Sequence, residues 1–175
     1  MPDIIYDVAV SADGYICGPD ADISAFPAEG PHVAAYLERV AGYGTVLMGR
    51  KTYEFGYRFG LAPGANPYPH AASYIYSTTL RLPGDAGVAV VSSDWETQIR
   101  ALKAGATRDI YLCGGGEFAG WMLGLKLIDR LRLKRAPVVL GDGVPVFGAS
   151  ALPIVGEVTA SESWPNGVAY CEVRL

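Results

Sequence analysis

Histidine and cysteine are scarce in this chain, with two and three copies in 175 residues. His32 and His70 share no ligand-like spacing with each other or with Cys17, Cys113 and Cys171, so no metal centre is expected. The three cysteines are odd in number, far apart and set in apolar, strand-like stretches, which suits reduced packing thiols rather than a disulfide framework. Clustered positive charge is also missing: 14 Lys and Arg stand scattered against 18 Asp and Glu, for a net charge of −4, which disfavours nucleic-acid binding. No apolar run approaches the roughly 20 residues that span a bilayer, and Met1-Pro2-Asp3-Ile4-Ile5 has no basic region ahead of a long apolar segment. A cytoplasmic protein that does not engage membranes is expected. There is no internal repeat and no low-complexity segment. Half of the residues are hydrophobic, enough to bury a substantial core in one domain over residues 1–175.

Three short stretches carry most of the chemical information. The run from Asp109 through Cys113 to Gly114-Gly115-Gly116 and then Glu117-Phe118 reads as strand, glycine turn, helix. Glycine lets another molecule approach the main chain, and a helix starting near Glu117 would aim free N–H groups at an anion above the strand end. A plain flexible connection fits the same residues. Thr45 to Met48 is a second strand ending in glycine, here followed by Arg50, Lys51 and Thr52. Cations in a first helical turn oppose the helix dipole, so contact with an anionic ligand explains them better than a solvated face does. Ala72 to Tyr76 is a third strand, ending in the hydroxyls Ser77, Thr78 and Thr79, which can hold a phosphate or simply close a turn.

Other segments complete the pattern. Ile4 to Val10 is a buried strand broken by the turn signal Asp13-Gly14 and resumed at Tyr15, with Ala9 small enough to leave room for a flat ligand. Residues 19–30 read as a surface loop, and Val33 to Val40 as a helix. Residues 56–71 are rich in Gly, Pro and aromatics and read as a lid-like loop, while Ser92-Ser93-Asp94 offers caps to a helix from Trp95. Leu131 and Leu133 alternate with Arg130 and Arg132 in a strand that Ala136 to Leu140 should continue. Asn166-Gly167 marks a closing hairpin. Alternating strands and helices with this hairpin predict an α/β three-layer fold, with a mostly parallel sheet and antiparallel strands at the end. Ligands of such sheets sit beyond the carboxyl ends of the strands.

Taken in order, Asp13 to Gly18, Leu47 to Glu54, Tyr76 to Leu80 and Leu112 to Phe118 resemble the dihydrofolate-reductase-like superfamily. Leu127 to Leu133 with Ala136 to Phe147 is most similar to the reductase domain of the riboflavin-biosynthesis deaminase–reductases. The resemblance implies an α/β/α sandwich around a mixed sheet and an extended NADPH, with NADH left open. It places Gly114, Gly115, Gly116, Glu117 and Phe118 at the pyrophosphate, with a cis Gly114–Gly115 peptide. Gly49, Arg50, Lys51 and Thr52 would line the phosphate side, Ser77 and Thr78 the 2′-phosphoadenosine side, and Val8, Ala9, Ile16 and Gly18 the nicotinamide. Thr78 stands where many relatives have arginine, which weakens the expectation of strict NADPH preference.

The same resemblance implies a homodimer and a small heterocyclic substrate such as a ribosylaminopyrimidine. Tyr15, Tyr36, Tyr53 and Phe55 are the candidate ring contacts and Asp13 the candidate proton donor, although Asp13 also suits a turn and Tyr36 a helix core. The carboxylate that dihydrofolate reductases carry has no aligned counterpart: Val33 occupies the matching region, with Glu29 and His32 nearby. Folate reduction is disfavoured, and a deaminase half with its zinc motif has no counterpart here. A non-catalytic nucleotide-binding protein is the competing expectation. A Rossmann dehydrogenase or a P-loop enzyme would need glycine spacings that are absent.

Overall fold

The computed structural model describes residues 1–149 and 153–175. Its strands are β1 (Ile4–Val10), β2 (Tyr15–Cys17), β3 (Thr45–Gly49), β4 (Ala72–Tyr76), β5 (Ala89–Val91), β6 (Ile110–Gly114), β7 (Arg130–Arg135), β8 (Val144–Pro145), β9 (Glu157–Ser163) and β10 (Ala169–Arg174). The helices are α1 (Pro31–Gly42), α2 (Arg50–Phe55), α3 (Trp95–Gly105) and α4 (Gly116–Gly124). Eight strands form one sheet in the order β5-β4-β3-β6-β1-β7-β10-β9, and β2 pairs with β8 in a small second sheet. Every pair from β5 to β7 is parallel, whereas β10 and β9 run antiparallel. The expected mixed, mostly parallel architecture is therefore what the chain adopts.

Strand alternation divides the core in two. On one face Ile4 and Tyr6 of β1, Leu47 of β3 and Ile110 and Leu112 of β6 pack with Ile99 of α3 and Phe118 and Met122 of α4. On the other, Ile5, Val46, Met48, Ile75 and Tyr111 pack with Val40 of α1 and Tyr53 of α2. This second face turns polar at β7, because Leu131 sits in the first core while Arg132 and Lys134 alternate with it. Those charges are met across strands: Glu172 of β10 accepts from Arg130 Nη1 and Arg132 Nε, both at 2.7 Å.

Several local expectations give way to tertiary contacts. β7 ends at Arg135, since Pro137 has no N–H for the ladder, and the chain instead hooks onto β1 through Ala136 N–H to Val10 C=O and Ala12 N–H to Val138 C=O. Asp94 is the residue preceding α3, but with φ +52° it makes no side-chain cap. Residues 56–71 are no lid. The Tyr53 hydroxyl accepts from Gly64 N–H and donates to Ala65 C=O, both at 2.9 Å, and Leu61 and Tyr68 pack on the second core. The segment that overhangs the sheet's carboxyl edge is instead 21–33, through Ala21, Ile23, Pro27 and Ala28.

Candidate functional site

A cavity of about 900 Å³ opens where the carboxyl ends of β1, β3, β4 and β6 converge, at the upper end of the roughly 300–1,000 Å³ typical of small-molecule sites. Parallel strands with loops all leaving one edge create such a crevice wherever neighbouring connections diverge. Its walls include Val8, Ala9 and Ile16 on one side and Gly49, Arg50, Lys51 and Thr52 on another. Ser77 and Thr78 close one end, and Gly115, Gly116, Glu117 and Phe118 form the α4 entrance. Tyr36 and Phe55 also face the space.

The glycine turn is demanded first by the protein's own packing. A Cβ on Gly116 would lie 2.0 Å from the Pro145 carbonyl oxygen, and one on Gly115 would lie 3.1 Å from Thr52 Oγ1. The Gly114–Gly115 peptide is cis, as the family resemblance implies. Ala119 N–H to Gly115 C=O, at 2.9 Å, is the first bond of α4, which leaves the N–H groups of its first turn ahead of the helical ladder and beside the cavity. Around this entrance, Lys51 Nζ lies 3.4 Å from Glu117 and Arg50 Nε lies 3.8 Å from Glu54. Both pairs are solvent-exposed and weak, so the cations are free to turn to an anion.

Ser77 is a turn residue as well as a wall. Its hydroxyl accepts from Leu80 N–H at 3.0 Å and Thr79 N–H at 3.2 Å. Arg81 Nη1 donates to the carbonyls of Leu80 and Thr78, at 2.9 and 3.3 Å, and so brings a guanidinium to the turn in which Thr78 offers none. Nearby, Phe118 stacks between Tyr76 and Trp121, with centroids 4.8 and 5.9 Å away, and Trp95 meets Trp121 edge-on at 5.7 Å. Trp95 and Trp121 both line the cavity. Their helical spacing reads as core packing, and only the sheet's geometry reveals the exposed aromatic ledge.

Five sequence candidates fall outside the lining. Asp13 holds the turn after β1: it accepts from Ser11 Oγ at 2.6 Å and from the backbone N–H groups of Leu140 and Gly141. These donors, Ser11 foremost, lower its pKa to about 2, and so low a value ill suits a proton donor near neutrality. Tyr15 lies on β2, whose backbone pairs with Pro145 of β8. Gly18 closes a turn by donating to Asp22 C=O, Tyr53 pins the loop described above, and Gly114 sits behind Thr52 and Tyr6.

The floor of the cavity contains what the sequence reading missed. Asp7 and Lys134 both line it, and their side chains are 0% and 6% exposed. Lys134 Nζ donates to Asp7 Oδ1 and sits 3.8 Å from the centre of the Tyr36 ring. From behind, Arg39 Nε donates to Asp7 Oδ2 at 2.8 Å. Burial lowers the Lys134 pKa, and the Asp7 carboxylate opposes that shift. Tyr36 and Tyr111 share a 2.8 Å hydroxyl–hydroxyl bond beside them, and burial raises both phenol pKa values. Asp7 and Lys134 lie 127 positions apart on parallel strands, so no local motif announces their meeting.

Known proteins share this fold. A protein from Shewanella sp. PV-4 superposes with a TM-score of 0.80 at 24% identity, covering 98% of both chains. A diaminohydroxyphosphoribosylaminopyrimidine deaminase/5-amino-6-(5-phosphoribosylamino)uracil reductase from Thermotoga maritima superposes at 0.74 with 16% identity, over 99% of this chain and 56% of that one. In sequence, the chain is 27% identical over 155 residues to the uncharacterized protein YyaP of Bacillus subtilis, covering 82% of this chain and 79% of YyaP. The model of the RibD C-terminal domain matches residues 2–170, and the chain belongs to that family.

Proposed function

We propose that this protein is a pyridine-nucleotide-dependent reductase that holds NADPH along the cavity and reduces a small planar heterocycle. The observation that carries the reading is the single cavity running from the Ser77 turn, past the α4 entrance, to β1. Membership of the RibD C-terminal family and the fold shared with a uracil-derivative reductase support it.

The residues present fit a dinucleotide. The N–H groups opening α4, with Thr52 and the loosely paired Arg50 and Lys51, suit a pyrophosphate. Trp95 and Trp121 offer an edge for adenine, and Arg81 offers charge for a 2′-phosphate, which favours NADPH over NADH. Val8, Ala9 and Ile16 form a flat apolar wall against which a nicotinamide would lie; bound there, it supplies the hydride. Tyr36 and Phe55 remain for the acceptor ring. NADPH oxidation followed with pteridines, pyrimidines and quinoid compounds tests this: turnover of one class is expected, and cofactor binding without any turnover would favour a non-catalytic nucleotide binder.

The expected homodimer also has a structural candidate. β9 exposes all seven residues at the outer edge of the sheet, where a second copy could pair. Sizing chromatography checks it.

A further inference from the structure

The ion pair at the cavity floor is more than the fold requires. Asp7 already receives Arg39 through Nε at 2.8 Å and Nη2 at 3.4 Å, with the Tyr43 hydroxyl at 3.4 Å. One carboxylate thus faces two cations, Arg39 and Lys134, and the trio carries one surplus positive charge. Of the two cations, Lys134 is the one that lines the cavity, so the surplus is presented inward. A lysine ammonium has three N–H groups. One goes to Asp7, the Tyr36 ring lies against the ammonium, and a remaining donor is available to the cavity. Buried pairs of this kind are often replaceable by apolar residues without loss of stability, so stability alone does not explain a lysine here.

We propose that Lys134, oriented by Asp7 and Tyr36, is the specificity residue of the acceptor half of the cavity, donating a hydrogen bond to an oxyanion or conjugated carbonyl oxygen on a planar ring. The inference rests on the reductase reading for the word acceptor, but the subsite itself is defined by this chain's own residues. It selects rings that carry negative charge, or that gain it on oxygen, over neutral rings of equal shape. In a site shielded from water, one charge-assisted hydrogen bond is worth about tenfold in affinity.

The test uses two pyrimidine rings of similar shape, barbiturate, which is an anion at neutral pH, and uracil, which is neutral. Calorimetry measures both on the protein alone and on the protein saturated with NADP⁺. Wild type should prefer barbiturate by about tenfold, Lys134→Arg should keep a preference for the anion, and Lys134→Met should bind the two rings equally. Lys134→Met leaves Asp7 paired with Arg39, so folding is expected to survive, and an unchanged circular dichroism spectrum and melting curve verify it. Should Lys134→Met fail to fold, Lys134→Leu, which likewise has neither charge nor donor, is read in its place. No preference in wild type, or a preference that persists in the charge-free variant, would overturn the proposal. Failure of NADP⁺ to bind would sink the reductase reading and leave the ring comparison on the free protein to decide the subsite.

Discussion

At the α4 end of the cavity the contacts come from backbone and from turns closed within a few residues: the glycines before α4, Ser77 bonding to Leu80, Arg81 on the carbonyl of Thr78. At the floor they come from side chains brought together across the whole chain, Asp7 with Arg39 and with Lys134. The first end can move or lose a cation at small cost, because its charges are wet and its bonds are local. The second is dry, so each charge depends on its partner. One cavity thus joins a tolerant half and a brittle half, and substitutions should separate them.

The largest effect is expected from Asp7→Ala. It strands the buried Lys134 beside Arg39, and chemical denaturation should show a loss of about 3–5 kcal/mol. Acid probes the same polar face of the sheet. Burial works against the Glu172 carboxylate, but Arg130, Arg132 and Thr159 outweigh it and hold its pKa at about 2 rather than 4.5. A lowered carboxylate pKa means stability present above pH 4.5 and lost as pH falls towards 2, on the order of 3 kcal/mol in all. Glu172→Gln should remove that part of the acid transition in a pH series of melting curves.

Gly116→Ala carries the comparison to the α4 end. Its Cβ meets the Pro145 carbonyl, so β8 or α4 must shift, at a cost of about 1–3 kcal/mol together with weaker cofactor binding in a fluorescence titration. Stability should change least in Arg81→Ala, an exposed position, yet its ratio of NADPH to NADH affinity should fall by about tenfold if the guanidinium meets the 2′-phosphate. An unchanged ratio would move that role to Arg50 or Lys51.

The same division explains what could be read from the sequence. The strands, the glycine turn, the hydroxyl turn and the Asn166-Gly167 hairpin follow from short-range signals, and their order pointed to the family and the sheet. Asp7 and Lys134 were invisible because each looks ordinary in its own strand and gains meaning only from parallel pairing across 127 positions. Asp13 drew attention through its Asp-Gly context, and its carboxylate accepts from Ser11 Oγ and from the N–H groups of Leu140 and Gly141, which hold the turn. Residues 56–71 had the composition of a lid, and the Tyr53 hydroxyl ties them down instead.

Whether NADPH occupies this cavity decides the function. Because Trp95 and Trp121 line the cavity, titration with NADPH should quench tryptophan emission and sensitise dihydronicotinamide fluorescence by energy transfer, saturably, with weaker binding of NADH and none in the presence of excess NADP⁺. Folded protein showing neither quenching nor energy transfer at millimolar NADPH would contradict it.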